Sequence, residues 1–325
     1  MKVIVAGATG TLGMALTEQL IAAGHAVTGL CRRPEGAQRL TAVGAEAVVA
    51  DMMDEQGLLT ALAGHTADAV IHQATALSRM PITHSCLDAT NALRDIGTTH
   101  LLLAAEAVGA RRFLTQSFFL GYGYRDHGSE PVTEDHLFGR PDGTPFDRHL
   151  RSMRSNEDQV FAANGIDGIT LRYGLFYGPE PGTRRFAALT RARRLPVPTR
   201  AGLTSPIHIT DAAAATVAAL EHGRAGEAYN IADDTPLGFD DYIRAIARAS
   251  GAPEPRRIPG WLLRPTPYLH GLMVGTSIRL SNDKAKRELG WAPRYPSCHE
   301  GLVDLDADDR SFDERCGPLP GRSSR

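Results

Sequence analysis

Gly7, Gly10 and Gly13 stand three residues apart, between the β-branched run Val3-Ile4-Val5 and a stretch from Met14 to Ala23 that repeats apolar residues at helical spacing. A buried strand that turns this tightly into a helix makes a cradle for phosphate. The first glycine admits a backbone conformation that a Cβ would penalise, the second lets the main chain approach a pyrophosphate, and the third lets the helix pack close on the strand. The helix then offers free N–H groups and the positive end of its dipole to an anion. An ordinary strand-turn-helix can also carry such glycines, but the strand before and the helix after favour dinucleotide binding. Gly7, Ala8, Thr9, Gly10, Thr11, Leu12 and Gly13 form the expected contact segment.

The end of the next strand bears on which dinucleotide. After Ala26-Val27-Thr28-Gly29-Leu30 the chain reads Cys31-Arg32-Arg33. An acid at this place serves the ribose 2′-hydroxyl of NAD, whereas arginine accommodates the 2′-phosphate of NADP. Arg32 and Arg33 therefore point to NADP(H) in preference to NAD(H), against the plainer reading of two solvated loop arginines. His72, alone on an apolar strand, is read as packed and neutral. Cys31, Cys86, Cys298 and Cys316 lie far apart with no C-x-x-C pair, so neither a disulfide framework nor a metal site is expected.

The glycine turn resembles the G-x-x-G-x-x-G fingerprint of the short-chain dehydrogenase/reductase superfamily, in its extended, epimerase/dehydratase-like branch, and further segments follow in that family's order. The resemblance implies that Asp51 and Met52, after a third strand, neighbour the adenine, and that Gln73, Ala74 and Thr75 belong to a loop passing under the cofactor. It also implies that backbone groups at Tyr173 and Gly174, in the Leu171-Arg172 to Tyr177-Gly178-Pro179 exit, approach the nicotinamide amide. Asn91 and the Gly97-Thr98 pair, in a helical pattern from 91 to 108, match a helix of that family, while a helix-capping Asn is an equal reading. Segments around His208 and at Leu289-Gly290-Trp291 match later signatures, so the likeness covers about residues 1 to 303. A homodimer is implied by the resemblance alone.

In that family a Ser or Thr at the end of the fifth strand binds the substrate oxygen, and a Tyr-x-x-x-Lys on the next helix supplies the acid–base pair. A phenol with a pKa of about 10 needs a nearby cation to give up its proton near neutrality. Ser117 fits the first role. For the second, counting back from Glu157 puts Met153 at the lysine position and His149 at the tyrosine position. Lysine occurs only at Lys2, Lys284 and Lys286, and no tyrosine is followed four residues later by lysine, so the pair is replaced. Ser117, Tyr122 and His149 are the candidate catalytic residues, with Arg151 and Arg154 as sources of the missing charge. With His149 as donor, activity is expected to fall as pH rises through about 6.5. The resulting reading is an NADP(H)-dependent oxidoreductase of atypical extended type, acting on a small carbonyl or alcohol compound. A non-redox epimerase, dehydratase or lyase, and an inactive NADP sensor, stand as alternatives.

These groups are positioned by an alternation of short strands and helical segments, which requires crossover connections and hence a parallel sheet covered on both faces. The expected fold is α/β, a Rossmann-type doubly wound parallel sheet with a small, discontinuous C-terminal substrate lobe. Residues 1–178 form the core, completed by about 205–235; residues 179–204 and 236–303 form the lobe; 304–325 form a flexible tail. Trp261, Tyr268, His270 and Met273 are candidates to line an apolar substrate pocket, or equally to be ordinary core. A hydrophobic fraction of 42% suffices for a full core, and a net charge of -2 gives no reason to expect nucleic acid or a membrane surface as partner. No apolar run is long enough to span a bilayer and no signal-peptide pattern precedes the first strand, so the expected address is the cytoplasm and the expected partner a small-molecule substrate.

Overall fold

The computed structural model describes residues 1–77 and 81–302, so the tail expected over 304–325 and Cys316 lie outside the described residues. The first half runs β1 (Lys2–Ala6), α1 (Thr11–Ala22), β2 (Ala26–Cys31), α2 (Pro34–Ala42), β3 (Glu46–Val49), α3 (Glu55–Ala61) and β4 (Ala69–His72). It continues through α4 (Asp88–Ala92), a π turn (Leu93–Gly97), α5 (Thr98–Ala107), β5 (Arg112–Phe118), α6 (Asp147–Ala162) and β6 (Asp167–Tyr173). The second half adds β7 (Leu175–Tyr177), α7 (Pro181–Arg191), β8 (Val197–Pro198), β9 (Leu203–Thr204), β10 (Pro206–His208), α8 (Ile209–His222), β11 (Glu227–Ile231), β12 (Leu237–Gly238) and α9 (Phe239–Ala249). Shorter helices α10 (Pro267–His270), α11 (Asp283–Leu289) and α12 (Cys298–Gly301) follow, with a second π turn at Gly271–Gly275.

Seven strands pair in parallel in the order β11-β6-β5-β4-β1-β2-β3. The order reverses between β1 and β4, which opens a crevice beyond the carboxyl ends of those strands. Both faces of β1 are apolar because both are covered. Val3 and Val5 pack with Leu12, Leu16 and Leu20 of α1 and the alanines of α8, while Ile4 and Ala6 pack with Leu58, Leu101, Ala104 and Phe113 on the opposite face. A third cluster joins Phe119, Tyr122, Leu150 and Met153 to Phe186, Phe239, Tyr242, Tyr268 and Met273. It seats the elements after β6 against the crevice.

Two local features differ from the sequence-based expectation. The helix expected over 91–108 is broken by the π turn at Leu93–Gly97, and α2 follows Arg32-Arg33, where no helix was expected. The wide turn leaves carbonyls that an α-helix would consume. His72 Nε2 lies 3.3 Å from Leu93 O, and Thr98 Oγ1 donates to Arg94 O at 2.8 Å. Hydrophobic periodicity does not register such an insertion, because the apolar face resumes on the far side of it.

Candidate active site

The glycine turn has the geometry that phosphate binding needs. Gly7 adopts φ +81, and a Cβ there would stand 2.6 Å from the Ala74 backbone, while a Cβ on Gly13 would fall on the Gly7 carbonyl oxygen. Gly10 caps α1 with no side-chain hydrogen bond, so the first N–H groups of the helix remain available to an anion. Gly36 at the start of α2 approaches Thr9, which brings the Arg32-Arg33 segment beside the turn, and both arginines are exposed. Asp51 is exposed beyond β3 and accepts from Met53 N, whereas Met52 is buried against Gly97. Turn, arginines, Asp51 and the Gln73–Thr75 loop thus lie at carboxyl ends of neighbouring strands.

The third expected contact differs in detail. Tyr173 is buried, and its hydroxyl receives Gln73 Nε2 at 2.9 Å and lies 2.6 Å from Thr216 Oγ1, so the phenol props the loop from within. The Gly174 amide is spent on Ile231 O at 2.8 Å and is not free for a nicotinamide. His72 is fully buried, its pKa pushed down to about 4 chiefly by desolvation, as expected for a packed neutral ring.

Ser117, one residue before the end of β5, has its Oγ buried and without a hydrogen-bond partner among the described residues. His149 and Met153 lie one turn apart on the buried face of α6. Asn156 fixes that helix to the strand, accepting from the Thr115 hydroxyl at 2.8 Å and donating to Gln116 O at 2.7 Å, with Thr98 Oγ1 lying 2.9 Å from its Oδ1. Asn91 lies inside α4, so the capping reading fails: its Nδ2 is 2.9 Å from His149 Nδ1, and its oxygen accepts from Ser152 Oγ at 2.9 Å. An amide donor at Nδ1 leaves the ring proton on Nε2, which donates to His84 Nδ1 at 3.0 Å.

This chain of neutral groups overturns one expectation. Desolvation first, then the neighbouring His84, Arg148 and Arg94, hold His149 down to about 3, so it does not titrate near 6.5 and is no general acid at neutral pH. Arg151 and Arg154 do not supply the charge sought from them. Arg151 is exposed and pairs with Asp147 at 3.5 Å, and Arg154 donates to the Phe138 and Gly139 carbonyls.

Tyr122 occupies a different network. Its hydroxyl donates to Asn230 Oδ1 at 2.8 Å and accepts from Arg172 Nη1 at 2.9 Å, while Arg172 grips Glu157 with two bonds of 3.1 and 2.7 Å. Burial pushes the phenol up to about 12 despite the adjacent guanidinium. Sequence reasoning missed His84, Arg94 and Tyr124, which with Phe146, His149 and Tyr268 make one aromatic and basic cluster, buried except for the partly exposed Tyr124 and Phe146. A signal was present: Arg94 follows Asn91 by three residues, the spacing that shares a helix face.

A doubly wound parallel sheet with a tight glycine turn at its switch point, with Ser117 near the end of β5 and His149 on the helix that follows, is the arrangement of enzymes of the extended dehydrogenase/reductase type. Residues 3–232 match the model of the NAD dependent epimerase/dehydratase family. The chain belongs to that family. It is similar to a 3-diazoavenalumate denitrifying reductase from a Streptomyces species, 35% identical over 93% of this chain and 99% of that one. A ketoreductase from Stigmatella aurantiaca, acting on a 4-hydroxy-2-methyl-3-oxo-4-farnesyl-3,4-dihydroquinoline-1-oxide, is 26% identical over 90% and 92% of the two chains. Among solved structures, a dTDP-glucose 4,6-dehydratase from Streptomyces venezuelae with NAD bound superposes with a TM-score of 0.78 at 21% identity, covering 98% of this chain and 99% of that one, which is a likeness of fold. Among the described residues no helix is long and apolar enough to cross a membrane, and no group of three or more potential ligands could hold a metal ion.

Proposed function

We propose that this protein is an NADP(H)-dependent reductase whose substrate takes up hydride without needing a proton from the protein, and that this substrate is a diazo compound. The observation that carries the reading is the neutral His149, hydrogen-bonded to His84, standing with Met153 where the family's ionisable Tyr and Lys belong. A ketone reduced to an alcohol requires one proton for each hydride. A diazo carbon in its diazonium form does not, since R–N2⁺ + H⁻ gives R–H + N2, with the C–N bond breaking as the C–H bond forms and its electron pair leaving on dinitrogen. A site without an acid suits the second reaction and handicaps the first. The similarity to a denitrifying reductase of a diazo compound agrees with this balance.

A bound reduced nicotinamide supplies the hydride. The residues of this chain suited to hold it are the Gly7–Gly13 turn for the pyrophosphate, Arg32 and Arg33 for the 2′-phosphate, Asp51 and Met52 at the adenine, and Gln73, Ala74 and Thr75 beneath. Ser117 would bind a substrate oxygen, and His149, its one ring proton held on His84 and its Nδ1 facing Asn91, would remain a neutral group that gives up no proton. Residues 179–204 and 236–302 would close over the substrate as a lobe. The carbonyl reading keeps one observation in its favour, the unpartnered Ser117 hydroxyl. A panel decides between them: a diazo-substituted phenol, simple ketones and a nucleotide sugar are each incubated with NADPH or NADH, and cofactor absorbance is followed. The proposal expects oxidation of NADPH over NADH with the diazo compound alone. Ketone turnover at a comparable rate contradicts it.

A further inference from the structure

We propose that Arg94 and the rings around it are a receptor for the carboxylate of a planar, conjugated organic acid, so that the substrate of this site enters as an anion with its ring system against aromatic side chains. The proposal rests on the same site as the reductase reading and adds the chemical class of what fills it.

Arg94 is 7% exposed, its Nε has no hydrogen-bond partner, and among the described residues it forms no ion pair. Other well-covered arginines are paired: Arg172 holds Glu157, and Arg244 holds Asp240 and Asp241 at 2.7 and 2.6 Å. Nor do the neighbours of Arg94 supply charge. Tyr124 and Tyr268 are held above the ordinary phenol range by burial, so both stay protonated, and His84 and His149 are pushed down and stay neutral. Nearby Arg148 already pairs with Asp88 at 3.0 Å. Among the described residues the cluster therefore carries one buried cation without a paired anion, a costly arrangement that an arriving anion relieves.

The backbone that holds Arg94 is built for the purpose. Arg94 sits in the π turn, a feature common at functional sites, with flanking carbonyls taken up by His72 and Thr98. The second π turn borders the same cluster, because Gly271 leaves the space that the Phe146 ring fills. Tyr124 lies 4.0 Å from Phe146 between ring centroids, Phe146 lies 5.9 Å from Tyr268, and the edge of His84 meets Phe146 at 4.5 Å. Such faces favour a flat, conjugated partner. One guanidinium matches the two oxygens of a carboxylate, whereas a phosphate dianion calls for further cations that the cluster lacks.

The test is binding, not turnover. Wild-type protein saturated with NADP⁺ is titrated calorimetrically with cinnamate, 4-hydroxycinnamate and the corresponding amides. The acids should bind about tenfold or more tightly than the amides, the scale of one charge-assisted hydrogen-bonded pair. Arg94→Gln should erase the difference and leave amide affinity unchanged, while Arg94→Lys should keep part of it. NADP⁺ affinity and circular dichroism of each variant verify the fold, and if Arg94→Gln does not fold, the wild-type contrast and Arg94→Lys decide. Equal affinity for acid and amide, no binding of either, or a preference that survives Arg94→Gln overturns the receptor. NADPH oxidation with a diazo phenol lacking a carboxylate separates the two proposals. Nitrogen release without acid preference sinks the receptor alone, and acid preference without nitrogen release sinks the reductase reading alone.

Discussion

Burial of a neutral His72 makes the fold sensitive to acid. Its folded pKa of about 4 lies below the unfolded value near 6.5, so between the two the unfolded chain binds a proton that the folded chain refuses. The stability it contributes is complete above about pH 6.5 and is lost as pH falls towards 4, amounting to about 2 kcal/mol at pH 5. Asp233 works the other way, since burial raises its carboxyl to about 8 and falling pH then favours the fold. Urea unfolding of wild type and His72→Gln at pH 7 and pH 5 isolates the histidine, and an unchanged pH dependence in the variant would refute the assignment. Tyr122 gives a second test at this scale. Tyr122→Phe leaves Arg172 Nη1 and Asn230 Oδ1 with one partner fewer in a buried site, so it should cost about 1–3 kcal/mol of stability. Turnover measured well below its melting temperature should stay near wild type. A loss of activity without a loss of stability would return Tyr122 to the catalytic group.

The strand-turn-helix at the start of the chain is the element most fully legible in sequence, because each of its requirements is local. Gly13→Ala places a methyl group on the Gly7 carbonyl, which must displace α1 or the turn. NADPH affinity should fall at least about a hundredfold while far-ultraviolet circular dichroism stays native-like, as checked by calorimetry; unchanged affinity would mean that the turn does not hold the pyrophosphate. Helix α6 was legible in outline: counting back from Glu157 put His149 and Met153 at the tyrosine and lysine positions of the resembled family, and the structure buries both. What His149 meets there was not legible. Asn91 and His84 come from a segment 58 and 65 residues away in sequence, and the packing they complete desolvates the imidazole and keeps it neutral. A pKa expectation drawn from residue type alone misses the desolvation that dominates here.

At the scale of the molecule, the alternation of strands and helices was enough for the parallel, doubly wound sheet, since crossover handedness and two-sided burial leave few other topologies. The small pairings β7 with β10, β9 with β12 and β8 with β13 (Arg257–Ile258) were not foreseen, because strands of two or three residues carry no periodic signal. On the proposed reading the glycine turn, the unpartnered Ser117 hydroxyl and the neutral histidine pair serve one site without an ionisable proton donor among them. The most direct test of that account is a stoichiometric pH–rate measurement with a diazo phenol labelled with nitrogen-15 and NADPH as the reductant. The account predicts one labelled dinitrogen released per NADPH oxidised, at a rate that stays level from about pH 6 to pH 9. NADPH oxidation with the label retained in the product, or a rate falling about tenfold per pH unit as a required acid is lost, would contradict it.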